Sequence, residues 1–182
     1  MSTMYAALLR GINVSGHRRV PMADLRRLLG ELGHEDVATH LQSGNAVFRS
    51  ASGDESALRT ELERAVEDHF GFPVDCLVRS GTYLAGVADA CPFPAAELEG
   101  RQLHVTYFDQ AVDAARFAPL DAESFRPEEF RLGDRALYLY APDGLGRSKL
   151  AVALGRPALT RGLVATSRNW NTVARLVEMT RD

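Results

Sequence analysis

The chain has 182 residues, 46% of them hydrophobic and 25% charged, with a formal net charge of −3. This composition suits a packed core and excludes wholesale disorder or a collagen-like repeat. The negative balance argues against a general nucleic-acid binder, and no apolar run approaches the roughly 20 residues of a bilayer span. The start, Met1-Ser2-Thr3-Met4-Tyr5, carries neither a basic n-region nor an apolar h-region. The expectation is therefore a cytoplasmic protein without a membrane partner.

Residues 4–10 form an apolar run of strand length, followed by a Gly-containing loop over 11–20. Pro21 suits the first position of a helix, and Met22, Leu25, Leu28, Leu29 and Leu32 give that helix one apolar stripe before Gly33 stops it. Residues 36–42 and 45–49 predict a hairpin turned at Ser43-Gly44. Ser52-Gly53-Asp54 opens a second helix that ends at Gly71, and residues 72–79 form the next strand. The order β-α-β-β-α-β is that of the ferredoxin-like, or α-β plait, fold.

A bridging helix over 81–90 leads into a loop marked by Pro92 and Pro94. A strand over 102–109, a short helix over 111–118, and a hairpin of 130–132 with 136–140 follow. Residues 148–154 form a helix with Ser148 as N-cap. A strand over 163–165 and a last helix from Asn169 complete the chain. The expected architecture is α+β: two tandem ferredoxin-like subdomains plus a C-terminal helix. Residues 1–80 form the first half, 81–101 the bridge, and 102–182 the second half.

Charge is unevenly spread. Residues 10–27 hold five arginines against Asp24, and residues 144–182 hold seven cations against Glu178 and Asp182. Residues 97–134 hold four arginines against nine carboxylates. Two basic segments thus stand out from an acidic background, as they would if both bordered one anion site. The catalytic inventory is thin: the five histidines and two cysteines show no metal-ligand spacing, and no G-x-S-x-G elbow is present. No cofactor, metal or catalytic residue is assigned. Cys76 reads as a small core residue and Cys91 as a loop residue.

Three segments carry a resemblance. Leu9-Arg10-Gly11-Ile12-Asn13-Val14-Ser15-Gly16, Leu41-Gln42-Ser43-Gly44-Asn45-Ala46-Val47-Phe48 and Thr166-Ser167-Arg168-Asn169-Trp170-Asn171-Thr172-Val173 resemble the motifs of a bacterial family, domain of unknown function 1697, with a weaker agreement at Gly146-Arg147-Ser148-Lys149-Leu150. The resemblance implies a tandem plait-like fold and no established reaction. Ser15 stands where the family pattern has a second glycine, and His17 where it often has a lysine.

The chemistry of these segments favours an anion. Gly11-x4-Gly16-His17-Arg18 has P-loop glycine spacing but lacks its lysine and Ser/Thr. A glycine-rich anion nest remains open there, with Arg10 and Asn13 beside it. Gln42, Ser43 and Asn45 offer amide and hydroxyl groups to a polar ligand. Arg147, Ser148 and Lys149 open a helix, where cations oppose the macrodipole and an anion is favoured. Ser167 or Asn169 suits an N-cap, and Arg168 a bidentate contact to carboxylate or phosphate. The reading is a small phosphate- or carboxylate-bearing ligand in an Arg/Asn/Gln-lined cleft. The alternatives are an RNA- or DNA-binding module, stacking bases on the sheet aromatics Tyr107, Phe108, Tyr138 and Tyr140, and a non-catalytic interaction protein.

Overall fold

The computed structural model describes all 182 residues. The protein is mixed α/β, with two four-stranded antiparallel sheets. It divides into two compact units, Met1–Ala85 with Arg175–Asp182, and Gly86–Ala174. No helix is long and apolar enough to cross a membrane.

In the first unit the elements run β1 (Thr3–Leu9), α1 (Met22–Glu31), β2 (Glu35–His40), β3 (Asn45–Ser50), α2 (Glu55–Phe70) and β4 (Cys76–Ser80), and α3 (Gly81–Asp89) begins there. The sheet order is β2-β3-β1-β4. Alternation puts Tyr5, Ala7, Leu9, Phe48 and Val78 on the face that packs against Leu25, Leu29, Leu58 and Leu62 of α1 and α2. The opposite face, with Met4, Ala6, Leu8, Val47 and Leu77, is buried as well. Burial on both faces is why β1 reads as an unbroken apolar run instead of an alternating one. Asp54 caps α2 by accepting from the Ala57 N–H at 3.0 Å, and Gly71, at φ 83°, ends it in the left-handed region.

The second unit runs β5 (Leu103–Phe108), β6 (Glu129–Gly133), β7 (Ala136–Tyr140), α4 (Lys149–Leu154), α5 (Pro157–Thr160) and β8 (Ala165–Asn169), and α6 (Trp170–Met179) begins there. The sheet order is β6-β7-β5-β8. Its core gathers Phe108, Leu137 and Leu139 from the sheet with Phe117, Leu150 and Leu159.

Two expectations change here. The helix expected over 111–118 is replaced by single 3-10 turns at Ala114–Phe117 and Ala122–Phe125. Asp113 caps the first turn through the Ala115 N–H at 2.9 Å, and Pro119 leaves no room for a second. The last strand lies at Ala165–Asn169, not at 163–165, and pairs with β5 from Phe108↔Ala165 to His104↔Asn169. Its inward residues are Thr166 and Arg168, so the usual aliphatic signal of a strand is missing.

Candidate functional site

In the first unit the candidates gather at the end of the sheet where β1 stops. The Arg10 N–H donates to the Asp75 carbonyl at 2.9 Å, and its guanidinium lies 3.8 Å from the exposed Asp75 carboxylate. The loop that follows holds five residues at positive φ: Gly11, Asn13, Ser15, Gly16 and Arg18. Three of these are not glycine, so side chains must hold the loop in this conformation. Asn13 is one such tie. Its Nδ2 donates to the Val20 carbonyl at 2.9 Å and to the Gln42 carbonyl at 2.6 Å, and its Oδ1 accepts from the Val20 N–H at 2.8 Å.

Arg18 is the other tie. Its Nε donates to the Gly11 carbonyl at 3.0 Å, a second nitrogen donates to the Pro73 carbonyl, and the guanidinium lies 5.2 Å from the Phe72 ring centre. Gln42 and Ser43 are exposed on the β2–β3 turn. Asn45 is fully buried instead, and its Nδ2 donates to the His40 carbonyl at 2.9 Å and the Ser43 hydroxyl at 3.1 Å. Its amide therefore shapes the turn. Gly44, at φ 97°, is required where it stands, since a Cβ there would lie 2.8 Å from the Leu9 Cβ.

The candidates of the second unit carry internal duties. The Ser148 hydroxyl donates to the Glu128 carboxylate and accepts from the Ala151 N–H at 2.9 Å. The second Glu128 oxygen accepts from the Lys149 N–H at 3.2 Å. The start of α4 thus already receives a carboxylate, one supplied by this chain. Arg147 and Lys149 are exposed beside it. Ser148 is the N-cap, as its residue type predicts.

Arg168 belongs to the last strand. It lies within β8, opposite Val105, and is 8% exposed. One guanidinium nitrogen donates to the Thr166 hydroxyl at 2.6 Å and to the Ser167 carbonyl at 2.9 Å. Burial pushes its pKa down to about 10, still well above neutrality, so the charge is retained. Ser167 shares a 2.6 Å hydrogen bond with the Thr106 hydroxyl. Asn169 accepts from the Thr172 N–H at 3.0 Å and so caps the first turn of α6.

The structure thus brings together Arg10, Asn13, Gln42, Ser43 and Asn45 in one unit, and groups Arg147, Ser148 and Lys149 around Glu128 in the other. Arg18 and Glu128 were not foreseen. Glu128 lies 20 residues from its partner Ser148, a separation that no local pattern encodes. Both cysteines are free thiols, and burial raises the pKa of each above its ordinary value. Tyr107 and Tyr138, candidates for base stacking, are fully buried, and the Tyr138 hydroxyl donates to the Val87 carbonyl at 2.6 Å.

The chain belongs to the family described as protein of unknown function (DUF1697), which matches residues 1–138. It is similar in structure to a conserved bacterial protein from Streptococcus pneumoniae, SP0830. That protein is 24% identical, with a TM-score of 0.75 over 100% of both chains. At that identity the likeness speaks for the fold. No curated protein matches the chain.

Proposed function

We propose that the first unit binds a small anionic ligand, one bearing a phosphate or a carboxylate, on the surface made by residues 10–19 and the 41–44 turn. The observation that carries the reading is the Asn13 side chain. By donating to the Gln42 carbonyl it makes two separate motif segments into one surface. Arg10, His17, Arg19, Gln42 and Ser43 are exposed on those segments. Arg18 is committed to the loop, and Arg10 meets Asp75 only at the long, exposed distance of 3.8 Å. An ion pair of that kind is worth little in water and yields easily to a better-placed anion. Arg10 and Arg19 are therefore the cations assigned to the ligand.

A small ligand is favoured over a nucleic acid by the burial of Tyr107, Phe108 and Tyr138, which leaves Tyr140 alone of the four sheet aromatics partly exposed, and that ring already packs on Phe93. We also read both halves as ferredoxin-like plaits in a cytoplasmic bacterial protein. Support for the duplication comes from the register. Arg79 stands opposite Ala6, and Ala6 opposite Val47; Arg168 stands opposite Val105, and Val105 opposite Tyr138. An arginine thus occupies the same place on the fourth strand of each sheet, and the strand orders match element for element.

The test is titration of the 15N-labelled protein with inorganic phosphate and with acetate at constant ionic strength. The amides of Gly11, Gly16 and Ser43 are expected to shift with saturation, and the double variant Arg10→Gln, Arg19→Gln to lose the response. If these amides do not shift, or if the double variant responds as wild type does, the reading is wrong.

A further inference from the structure

Resting on that anion site, we propose that its ligand is amphiphilic: an anionic headgroup carrying a short apolar body, which is received by Val14 and Leu41. Five large apolar side chains are exposed in the whole chain, and two of them are these, at 56% and 57%. A single exposed apolar residue needs no explanation. Here the two belong to segments whose other exposed residues are polar, cationic or glycine, and they flank in sequence the hydrogen bond that joins those segments. Val14 follows Asn13 in the chain, Leu41 precedes Gln42, and the Asn13 Nδ2 lies 2.6 Å from the Gln42 carbonyl oxygen.

Leu41 is the more telling of the two. It stands at φ 60°, in the left-handed region that L-residues other than Asn and Asp rarely enter. At such a turn position Asn, Asp or Gly relieves both the steric cost and the exposure of apolar surface. A leucine here brings both costs and no core packing, since more than half of it faces solvent. Its apolar side chain therefore has its use outside the folded chain. The exposed Arg19, with Arg10, supplies the charge that the headgroup meets. Arg18, bonded to the Gly11 carbonyl and stacked on Phe72, ties the same loop, in which Val14 stays exposed.

The chemical class follows from that juxtaposition: an acyl or aryl carboxylate, or a phosphomonoester of a small apolar alcohol. Acetate and hexanoate make the simplest pair of probes, since they share a headgroup and differ by four methylenes. Hexanoate is expected to bind wild type about tenfold more tightly than acetate, the equivalent of burying about two methylenes. Phenyl phosphate is expected to exceed inorganic phosphate in the same sense. In Leu41→Asn the ratio of hexanoate to acetate affinity should fall towards one, without a fall in melting temperature, because Asn tolerates the left-handed region. Val14→Ser should lower the ratio in a second, independent position.

The outcomes separate the two readings. If neither acetate, hexanoate nor phosphate shifts the amides of residues 11–19, the anion site itself fails. If acetate and hexanoate bind equally to wild type, or if Leu41→Asn and Val14→Ser preserve a tenfold preference, the anion site stands and the apolar subsite is refuted. Sedimentation with phosphatidylglycerol vesicles, together with equal affinity for the two carboxylates, would assign Val14 and Leu41 to a membrane surface and overturn the proposal.

Discussion

Replacing Asn13 with alanine removes a single amide from a partly exposed loop, yet the geometry makes it a costly change. The amide makes three hydrogen bonds, two to the backbone of Val20 and one to the Gln42 carbonyl. Val20 is fully buried, so its N–H and carbonyl lose partners that water replaces poorly; stranding a buried polar group costs about 1–3 kcal/mol. The Gln42 carbonyl is on an exposed turn residue and is rehydrated with little loss. Alanine must also hold φ near 54°, which adds roughly 1 kcal/mol that asparagine largely escapes. Counting both Val20 groups and the conformational cost, the expected total is about 3–7 kcal/mol. Asn13→Gly separates the parts, because glycine loses the same bonds without the conformational cost. Asn13→Asp keeps the Oδ1 acceptor for the Val20 N–H but sets a carboxylate oxygen against the Val20 and Gln42 carbonyls, so it should cost at least as much as alanine. Urea unfolding followed by far-ultraviolet circular dichroism gives the ranking, with each of the two units allowed its own transition. Should Asn13→Ala and Asn13→Gly both lie within about 0.5 kcal/mol of wild type, the tie between the loop and the turn is not energetically real. The surface assigned to the anion would then have no fixed geometry.

Three further outcomes are expected. Gly44→Ala should cost roughly 2–4 kcal/mol in a thermal melt, because its Cβ would sit 2.8 Å from the Leu9 Cβ at φ 97° and neither backbone can withdraw freely. Ser148→Ala and Glu128→Gln should each lower stability by about 1 kcal/mol, and their double-mutant cycle should show coupling, since the two side chains share one hydrogen bond. His104, 7% exposed and with its Nδ1 unpartnered, has its pKa lowered below 6.5 by burial. The unfolded chain therefore binds the proton more readily, and stability is full above about pH 6.5 and falls as pH drops from there towards the folded-state value. His104→Leu should remove that part of the slope in melts between pH 5 and 7 while leaving stability at pH 7.5 unchanged or higher.

The order of elements was legible wherever one face of an element is apolar and its ends carry a chemical stop. The stripe Leu25, Leu28 and Leu29 marks α1, and Asp54 and Gly71 bracket α2. The β2–β3 turn was placed at Ser43-Gly44, but it opens two residues earlier at Leu41, whose φ of 60° no propensity suggests for leucine. The final strand was placed too early, over 163–165, for a related reason. Strand periodicity is read from aliphatic residues, and β8 turns Thr166 and Arg168 inward. A buried arginine is stable there because its N–H groups meet the Thr166 hydroxyl and the Ser167 carbonyl within the same strand. Tertiary pairing with β5 settles the strand, and such pairing lies beyond any window of local sequence.

The site was legible in its residue types more than in their duties. Polar residues concentrated in a few glycine-rich segments invite a ligand, but the backbone around positive-φ turns has polar groups of its own to satisfy, and side-chain amides do that efficiently. Asn13, Asn45 and Asn169 all serve the backbone in this way. The cap Ser148 serves it too, and Glu128 supplies the negative charge that the start of α4 attracts. A residue becomes a credible ligand contact only after these claims are deducted. By that standard Gln42, an amide on an exposed turn, is a better candidate than Asn45, which is fully buried. Arg19 is better than Arg18, whose guanidinium already holds the Gly11 and Pro73 carbonyls. The same deduction makes Leu41 stand out, because neither core packing nor turn geometry accounts for it. Thus Arg19→Gln should weaken phosphate binding with no change in melting temperature, whereas Arg18→Gln should lower the melting temperature first. Equal effects of the two substitutions on both measurements would show that the loop does not distinguish a strut from a ligand contact.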